Sequence, residues 1–285
     1  MSKVARLLVA TDLTERSQRA FERAIELKSQ AGATATVTLL HAVEPGLFPA
    51  IGEERYADAE DFLRDQIAAL PEEKRAGIAC DIRVGEPFTT IIDEAHRRNA
   101  ELIVLGQPAK GGLKELFIGT TTERVVRYSD LPVLVVKEPL RGAYQRVLVA
   151  MDLSEGSIRA LETAYRIAPD ADFLMLHAWY APLMGFGTSD AAERVVAREN
   201  QRIRELVDRR TKEFLSRSAP RAAAPRFELI DSSPYVAIRN QISVFGPDIL
   251  AMGTHGRSAL KTAMIGSLAR EFLAEAACDV LVARA

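Results

Sequence analysis

Short, nearly unbroken apolar runs alternate along this chain with stretches where apolar positions recur every three or four residues. In the first half the runs fall at Val4–Ala10, Thr34–Val43, Ile78–Val84, Leu102–Gly106 and Val133–Val136. In the second they fall at Val147–Ala150, Phe173–Trp179, Arg226–Asp231, Ile249–Gly253 and Val280–Ala283. Several are continuous rather than alternating, which predicts strands covered on both faces, as in a parallel sheet. Between them, Ala20, Phe21, Ala24 and Ile25 keep helical spacing, as do Phe88, Ile91, Ile92 and Ala95. Thr14 and Ser154 follow the first strand of each half and are natural N-caps. Strand–helix alternation of this kind predicts a doubly wound α/β fold. A long charged helix is expected after the second strand of each half, at 189–217 in the second.

The pattern occurs twice because the sequence does. Residues 5–45 match 145–182, pairing Asp12 with Asp152, Leu13 with Leu153, Thr14 with Ser154 and His41 with His177. The halves also end alike, at "SDLPVLVVKE" and "EAACDVLVAR". A repeat this long is a duplicated domain rather than a solenoid unit. The join falls near "KEPLRGAYQ" (137–145), which gives domains at 1–138 and 145–285.

Composition adds mainly exclusions. The chain has 285 residues, room for two domains, and its 37 basic and 39 acidic residues give a net charge of −2. That balance offers no electrostatic case for a nucleic acid or a membrane surface as partner. Arginines in the second long helix interleave with acidic residues, which argues against an RNA- or DNA-binding face. No apolar run is long enough to span a bilayer, and the first residues lack the pattern of a secretion signal. Cys80 and Cys278 stand apart from any metal-binding cluster, and two reduced thiols in a cytoplasmic protein are expected over a disulfide.

The chemistry concentrates in "GTHGRSALKTAMIGS", residues 253–267. Gly253 ends a strand and Gly266-Ser267 opens a helix, whose N-terminal amides and dipole favour an anion. Glycine at 253 and 256 would permit positive φ and close approach of a phosphate, with Ser267 as donor and Arg257 and Lys261 as nearby cations. A turn that merely links strand to helix is the competing reading. The loop is neither a Walker A loop nor a Rossmann fingerprint. Asp152 reads either as an acceptor for a ribose hydroxyl or adenine amino group, or as a turn residue leading into the Ser154 cap. The first half carries a near-copy, "GQPAKGGLKELFIGT" (106–120). There Ala109 replaces the middle glycine and Pro108 removes an amide, changes that weaken a phosphate cradle unless Gly111 and Gly112 shift the turn. His41 and His177 suit a structural hydrogen bond, His96 a wet surface, and His255 lies in the loop. No nucleophile–base–acid set is legible.

On "LVATDLT" and "LVAMDLS", "LLHAVE" and "MLHAWY", the G-x2-G-x9-G-[ST] loop and the terminal "LPVLVV" and "CDVLVA" strands, each half resembles a universal stress protein domain. The resemblance implies two five-stranded parallel sheets of order 3-2-1-4-5, each flanked by helices. It implies an ATP site in the second half, with Ala150, Met151, Asp152 and Ala178 holding adenine and ribose. Gly253, Gly256, Gly266 and Ser267 would hold the phosphates, with Arg257 as a further contact and magnesium as an optional companion ion. The second half departs from the more usual Val-Gly-Glu-Pro of residues 84–87: at 231–234 it reads Asp-Ser-Ser-Pro, putting Ser232 where Gly85 stands. The family's dimerisation through terminal strands implies an internal pseudo-dimer, Val133–Val136 beside Val280–Ala283, and leaves a further homodimer open. The expected role is a cytoplasmic, non-enzymatic, nucleotide-dependent regulator in stress response. A nucleotide-free scaffold and an ATP-using enzyme of related fold are the alternatives.

Overall fold

The computed structural model describes residues 2–44, 49–107, 120–179, 190–218, 224–254 and 265–285. The first half runs β1 (Arg6–Thr11), α1 (Glu15–Ala31), β2 (Thr36–Val43), α2 (Pro49–Ala68), the single turn α3 (Glu72–Arg75), β3 (Ile78–Val84), α4 (Pro87–Arg97), β4 (Leu102–Gly106), α5 (Thr121–Tyr128) and β5 (Val133–Val136). The second runs β6 (Arg146–Ala150), α6 (Glu155–Ile167), β7 (Asp172–Trp179), α7 (Asp190–Ser218), β8 (Arg226–Asp231), α8 (Pro234–Phe245), β9 (Ile249–Gly253), α9 (Ser267–Glu275) and β10 (Asp279–Ala283). All the strands expected from the apolar runs are present, with no end displaced by more than two residues.

Both faces of the sheet are covered, which is why the strands read as continuous apolar runs. Leu7 and Val9 of β1 point to one face, where they meet Phe21 and Ala24 of α1. Leu8 points to the other, toward Ile91 of α4 and Val125 of α5. α6 and α7 lie on the same side as α1 and α2, and α8 and α9 on the same side as α4 and α5. Each apolar layer continues from one half into the other.

Each half has the expected strand order, and the two sheets join into one of ten strands, β3-β2-β1-β4-β5-β10-β9-β6-β7-β8. Neighbours within a half are parallel. The seam is antiparallel, pairing Val133 with Val282, Leu134 with Leu281 and Val135 with Val280. Duplication thus produces the self-complementary contact a two-fold dimer would make, inside one chain.

A polar clamp closes the seam. Asp279, 1% exposed, accepts hydrogen bonds from the amides of Lys137 (2.8 Å) and Glu138 (3.1 Å) and from the Tyr144 hydroxyl (2.6 Å). Arg23 of α1 stacks over the Tyr144 ring at 4.0 Å and donates to the Gly142 carbonyl at 2.6 Å. The buried Lys137 ammonium donates to the carbonyls of Phe272 and Ala276 at the end of α9, where a cation complements the helix dipole. Burial pushes the Asp279 carboxyl up from its ordinary value, against the pull of these hydrogen bonds and of Arg23. A second tie is Arg166 of α6, which donates to Glu101 at 2.7 Å. Glu101 also accepts from the amides of Ala5 and Arg6.

Candidate functional site

In each half the first and fourth strands are neighbours, which puts the switch of strand order where the sequence predicts it. Ala150 of β6 pairs in register with Met252 of β9, which brings Met151 and Asp152 beside Gly253. Ala10 pairs likewise with Leu105 in the first half. The chain then makes the same turn twice. Leu13 and Leu153 adopt φ of 64° and 65°, a left-handed conformation that costs a leucine about 1–2 kcal/mol. The preceding aspartate holds the turn. Asp12 Oδ1 accepts from the Thr14 amide (3.1 Å) and hydroxyl (2.6 Å), and Asp152 Oδ1 accepts from the Ser154 amide (3.0 Å) and hydroxyl. The turn role of Asp152 is therefore realised. These bonds all fall on Oδ1, so the turn does not consume the second oxygen of the carboxylate.

The caps differ between halves. Ser154 accepts from the Ser157 amide at 3.2 Å, as a capping serine should. Thr14 occupies the cap position of α1 but makes no side-chain cap bond, although its hydroxyl donates to the preceding aspartate just as that of Ser154 does. For Asp12, burial pushes the carboxyl up, but hydrogen bonds from Thr14 and Ser17 outweigh it and hold the group below its ordinary value.

The opposite wall is the passage from the fourth strand to the last helix. In the second half Thr254 donates its amide to Ala283 (3.0 Å) and its carbonyl accepts from the Gly266 amide at 2.8 Å. The two ends of the glycine loop are thereby stapled together. Gly266 occupies the N-cap of α9 without a side-chain cap, and Ser267 is the exposed first residue of the helix. The first half closes the same end itself: Thr120, aligned with Ser267, caps α5 by accepting from the Glu123 amide at 3.1 Å. One aligned hydroxyl is used internally and the other faces outward.

Neither Gly253 nor Gly266 requires positive φ. Among described residues the positive-φ glycines are Gly32, Gly77, Gly142 and Gly246, and Gly266 has φ −58°. The expectation that Gly253 supplies unusual backbone freedom is corrected: it closes β9 without positive φ. In the first half a Cβ on Gly106 would lie 2.7 Å from the Arg16 carbonyl oxygen. In the second, Gly156 leaves the space, a Cβ on it standing 3.4 Å from the Gly253 Cα. Gly256, Arg257, Lys261 and His255 lie outside the described residues, as do Pro108, Ala109, Gly111, Gly112 and Gly119.

Of the other candidates, Met151 is 5% exposed, and its amide is taken by the Leu176 carbonyl at 2.8 Å. Ala178 is half-buried near the end of β7, beside Ile230 of β8. His177 Nδ1 bonds the Met151 carbonyl and His41 Nδ1 the Thr11 carbonyl (2.8 Å), the structural use expected of them. His96 forms an exposed pair with Asp130 at 3.0 Å. Ser232 is accommodated by a second exchange. A Cβ at Gly85 would meet the Thr90 hydroxyl at 2.5 Å, whereas the residue aligned with Thr90 in the second half is Ala237. Both cysteines are free, and burial pushes the Cys278 thiol up to about 12. No group of three metal-ligating side chains occurs among the described residues. No helix there is long and apolar enough to cross a membrane.

Sequence reasoning missed a cavity of about 770 Å³ at the switch point of the first half, between the β1 turn, the end of β2, α2 and the start of α5. It also missed the strained leucines, although Asp-Leu-[Thr/Ser] before a helix was a readable signal for them.

A family model described as the universal stress protein family matches residues 3–137 and again 143–284. A universal stress protein of Mycolicibacterium smegmatis is 24% identical over 271 residues, covering 88% of this chain and 87% of that one. One from Synechocystis is 29% identical over 152 residues, spanning 46% of this chain and 97% of the relative, as a single-unit protein would. The crystal structure of a universal stress protein from Archaeoglobus fulgidus superposes with a TM-score of 0.70 at 20% identity, covering 99% of this chain and 98% of that one, and so shares its fold. With the family model matching nearly the whole length in two copies, this chain belongs to the universal stress protein family, carrying its domain in tandem.

Proposed function

We propose that this protein is a cytoplasmic, non-enzymatic regulator in stress response that binds ATP in its second half, residues 145–285, while the first, 1–138, does not. The observation that carries this reading is the contrast between the two helix starts. Thr120 closes α5 with its own hydroxyl, whereas α9 begins at Gly266 with Ser267 exposed and, among the described residues, no side chain capping its first-turn amides. An anion there gains hydrogen bonds and a favourable dipole. Asp152, two residues past β6 on the facing wall, keeps its second carboxylate oxygen for a ribose hydroxyl, and Ala150, Met151 and Ala178 supply the apolar end of the crevice. Gly253, Gly256 and Arg257 complete the proposed set, with magnesium arriving on the phosphates.

Calorimetric titration of the full chain with Mg-ATP tests it. One site per chain is expected, weakened about tenfold by Ser267→Ala and by Asp152→Asn, and unchanged by Thr120→Ala. ATP binding that is absent, or that follows Thr120 rather than Ser267, would overturn it. A nucleotide-free scaffold is favoured by one set of contacts: Thr254 already occupies the Gly266 amide, Leu176 the Met151 amide and Ser154 one Asp152 oxygen. Mass spectrometry of small molecules released from the purified chain separates the two, since a scaffold releases no nucleotide. An ATP-using enzyme lacks support in any catalytic set among the described residues.

A further inference from the structure

The long helices that follow the second strand of each half, α2 and α7, occupy equivalent places on one side of the sheet but carry opposite charge on their outer faces. α2 turns Ala59 and Leu63 inward, both 1% exposed. It presents Asp58, Asp61 and Asp65 to solvent, at the three- and four-residue spacing of a single helix face. Arg64, on the flank of that stripe, is paired with Glu60. α7 turns Ile203 and Val207 inward and presents Arg194, Arg198, Arg202, Arg209 and Lys212 to solvent, with Glu205 among them. Two acidic neighbours of the basic stripe are engaged within the helix, Glu199 with Arg202 at 3.7 Å and Asp208 with Lys212 at 2.7 Å. An exposed apolar side chain stands next to each stripe, Phe62 on α2 and Val195 on α7. At a rise of about 1.5 Å per residue the acidic stripe runs about 10 Å and the basic one about 27 Å, so the first fits within the second without a demanding register.

Opposite charge on two equivalent helices has a geometric consequence. The antiparallel seam relates the halves by a pseudo-two-fold axis, and α2 and α7 lie on the side of the sheet that also carries α1 and α6. A second copy laid against that side, about an axis parallel to the central strands, puts its α7 over α2 and its α2 over α7. The result is a closed two-fold contact in which the same helix pairing is made twice. We propose that this side of the molecule is a self-association surface and that its occupant is a second copy of this chain, held by the aspartates of α2 against the arginines of the partner's α7. Charge also sets the orientation. Turning the second copy end over end sets α2 on α2 and α7 on α7, where like charges oppose. Phe62 and Val195 add apolar area beside the paired stripes. The surface is independent of the seam within each chain and of any nucleotide in the second half.

Sedimentation velocity of the full chain tests it. The unaltered chain is expected to sediment as a dimer at about 50 μM in low salt and to shift toward monomer in about 0.5 M salt, where exposed charges are screened. Asp61→Lys/Asp65→Lys turns the α2 stripe basic, and Arg198→Glu/Arg202→Glu/Arg209→Glu turns the α7 stripe acidic; all five residues are exposed or lie at the helix surface. Each variant alone should weaken the dimer by about a hundredfold or more, because like charge then faces like charge at both contacts. Mixed in equal amounts, the two variants should pair with each other, since every contact again joins an acidic stripe to a basic one. That recovery separates lost complementarity from a lost fold. A monomeric parent at that concentration, a reversed variant that remains dimeric, or a mixture that fails to pair would each overturn the proposal. Capture of a nucleic acid by the α7 stripe in place of a second copy would appear as a monomeric parent and overturn it as well.

Discussion

Removing the Asp279 carboxylate should uncouple the two halves. Its Oδ1 serves two backbone amides and its Oδ2 the Tyr144 hydroxyl, all at 3.1 Å or less, while Arg23 Nε stands 3.7 Å away, beyond hydrogen-bond reach but near enough for charge. Both side chains of that pair are nearly dry, at 5% and 1% exposure. Asp279→Ala leaves a buried guanidinium without its counter-charge and two seam amides without acceptors, a loss of about 3–5 kcal/mol. Tyr144→Phe keeps the ring beneath Arg23 and deletes one charge-assisted hydrogen bond, about 1.5–3 kcal/mol. Because both act on one network, the double variant should cost less than the sum of the singles. In urea, with a slope of roughly 3 kcal/mol/M, a 4 kcal/mol loss moves the midpoint by roughly 1.3 M. The single tryptophan, Trp179, belongs to β7 and reports the second half, while far-ultraviolet dichroism reports both. The two probes should coincide for the unaltered chain and separate in Asp279→Ala. An exposed pair such as Arg64–Glu60 provides the control, since its removal should cost less than about 1 kcal/mol. A midpoint within about 0.3 M of the parent, or a Tyr144→Phe loss equal to that of Asp279→Ala, would refute the clamp as the element joining the halves.

Gly106→Ala should destabilise the first half by about 1–3 kcal/mol, since the new methyl meets the α1 backbone rather than a movable side chain; thermal unfolding measures it. Ser154→Ala should cost about 1 kcal/mol through loss of its cap and Thr14→Ala distinctly less, because only Ser154 caps its helix; equal losses in urea melts would contradict that difference. Burial pushes the Glu101 carboxyl up, but the amides of Ala5 and Arg6 and the Arg166 guanidinium outweigh it and hold the group below its ordinary value of 4.5. A carboxyl lowered by folding stabilises above that value, and the contribution disappears as pH falls through the lowered one. Glu101→Gln should therefore be about 0.5–1 kcal/mol less stable than the parent at pH 7 and converge with it in acid; a gap that keeps its full size, or widens, once pH has fallen through the lowered value would contradict the assignment. Asp279 runs the other way. Its raised carboxyl favours folding below 3.8, and that contribution is lost as pH climbs through the raised value.

The strands were legible because burial on both faces leaves no room for polar residues along them, and runs such as 102–106 and 249–253 carry that constraint in plain view. The meeting of Val133–Val136 with Val280–Ala283 followed from the family resemblance, but their antiparallel register did not, being set by packing across the seam. The clamp was illegible for a different reason. Arg23, Lys137, Tyr144 and Asp279 are spread along the sequence, and each reads alone as a surface residue; only folding removes their water. The first-half crevice was hidden because its wall depends on where α2 packs, and a charged helix gives little hint of that in its pattern. The role of Gly253 was ambiguous because a glycine at a strand end can supply either backbone freedom or space, and sequence does not distinguish the two.

What the duplication preserved and what it let go can be separated by cost. Leu13 and Leu153 hold the same unfavourable φ in both halves, each worth about 1–2 kcal/mol, and both are held by the preceding aspartate. The same strained turn stands in both copies and sets each aspartate just past the end of its first strand, where it bonds the residue that opens the next helix. The opposite wall was free to diverge. Thr120 caps α5 through its own hydroxyl whereas Gly266 takes the cap position of α9, and on the proposed reading this difference decides which helix start receives the phosphates. The two copies share one backbone plan within one continuous ten-stranded sheet and differ at the start of the last helix of each half.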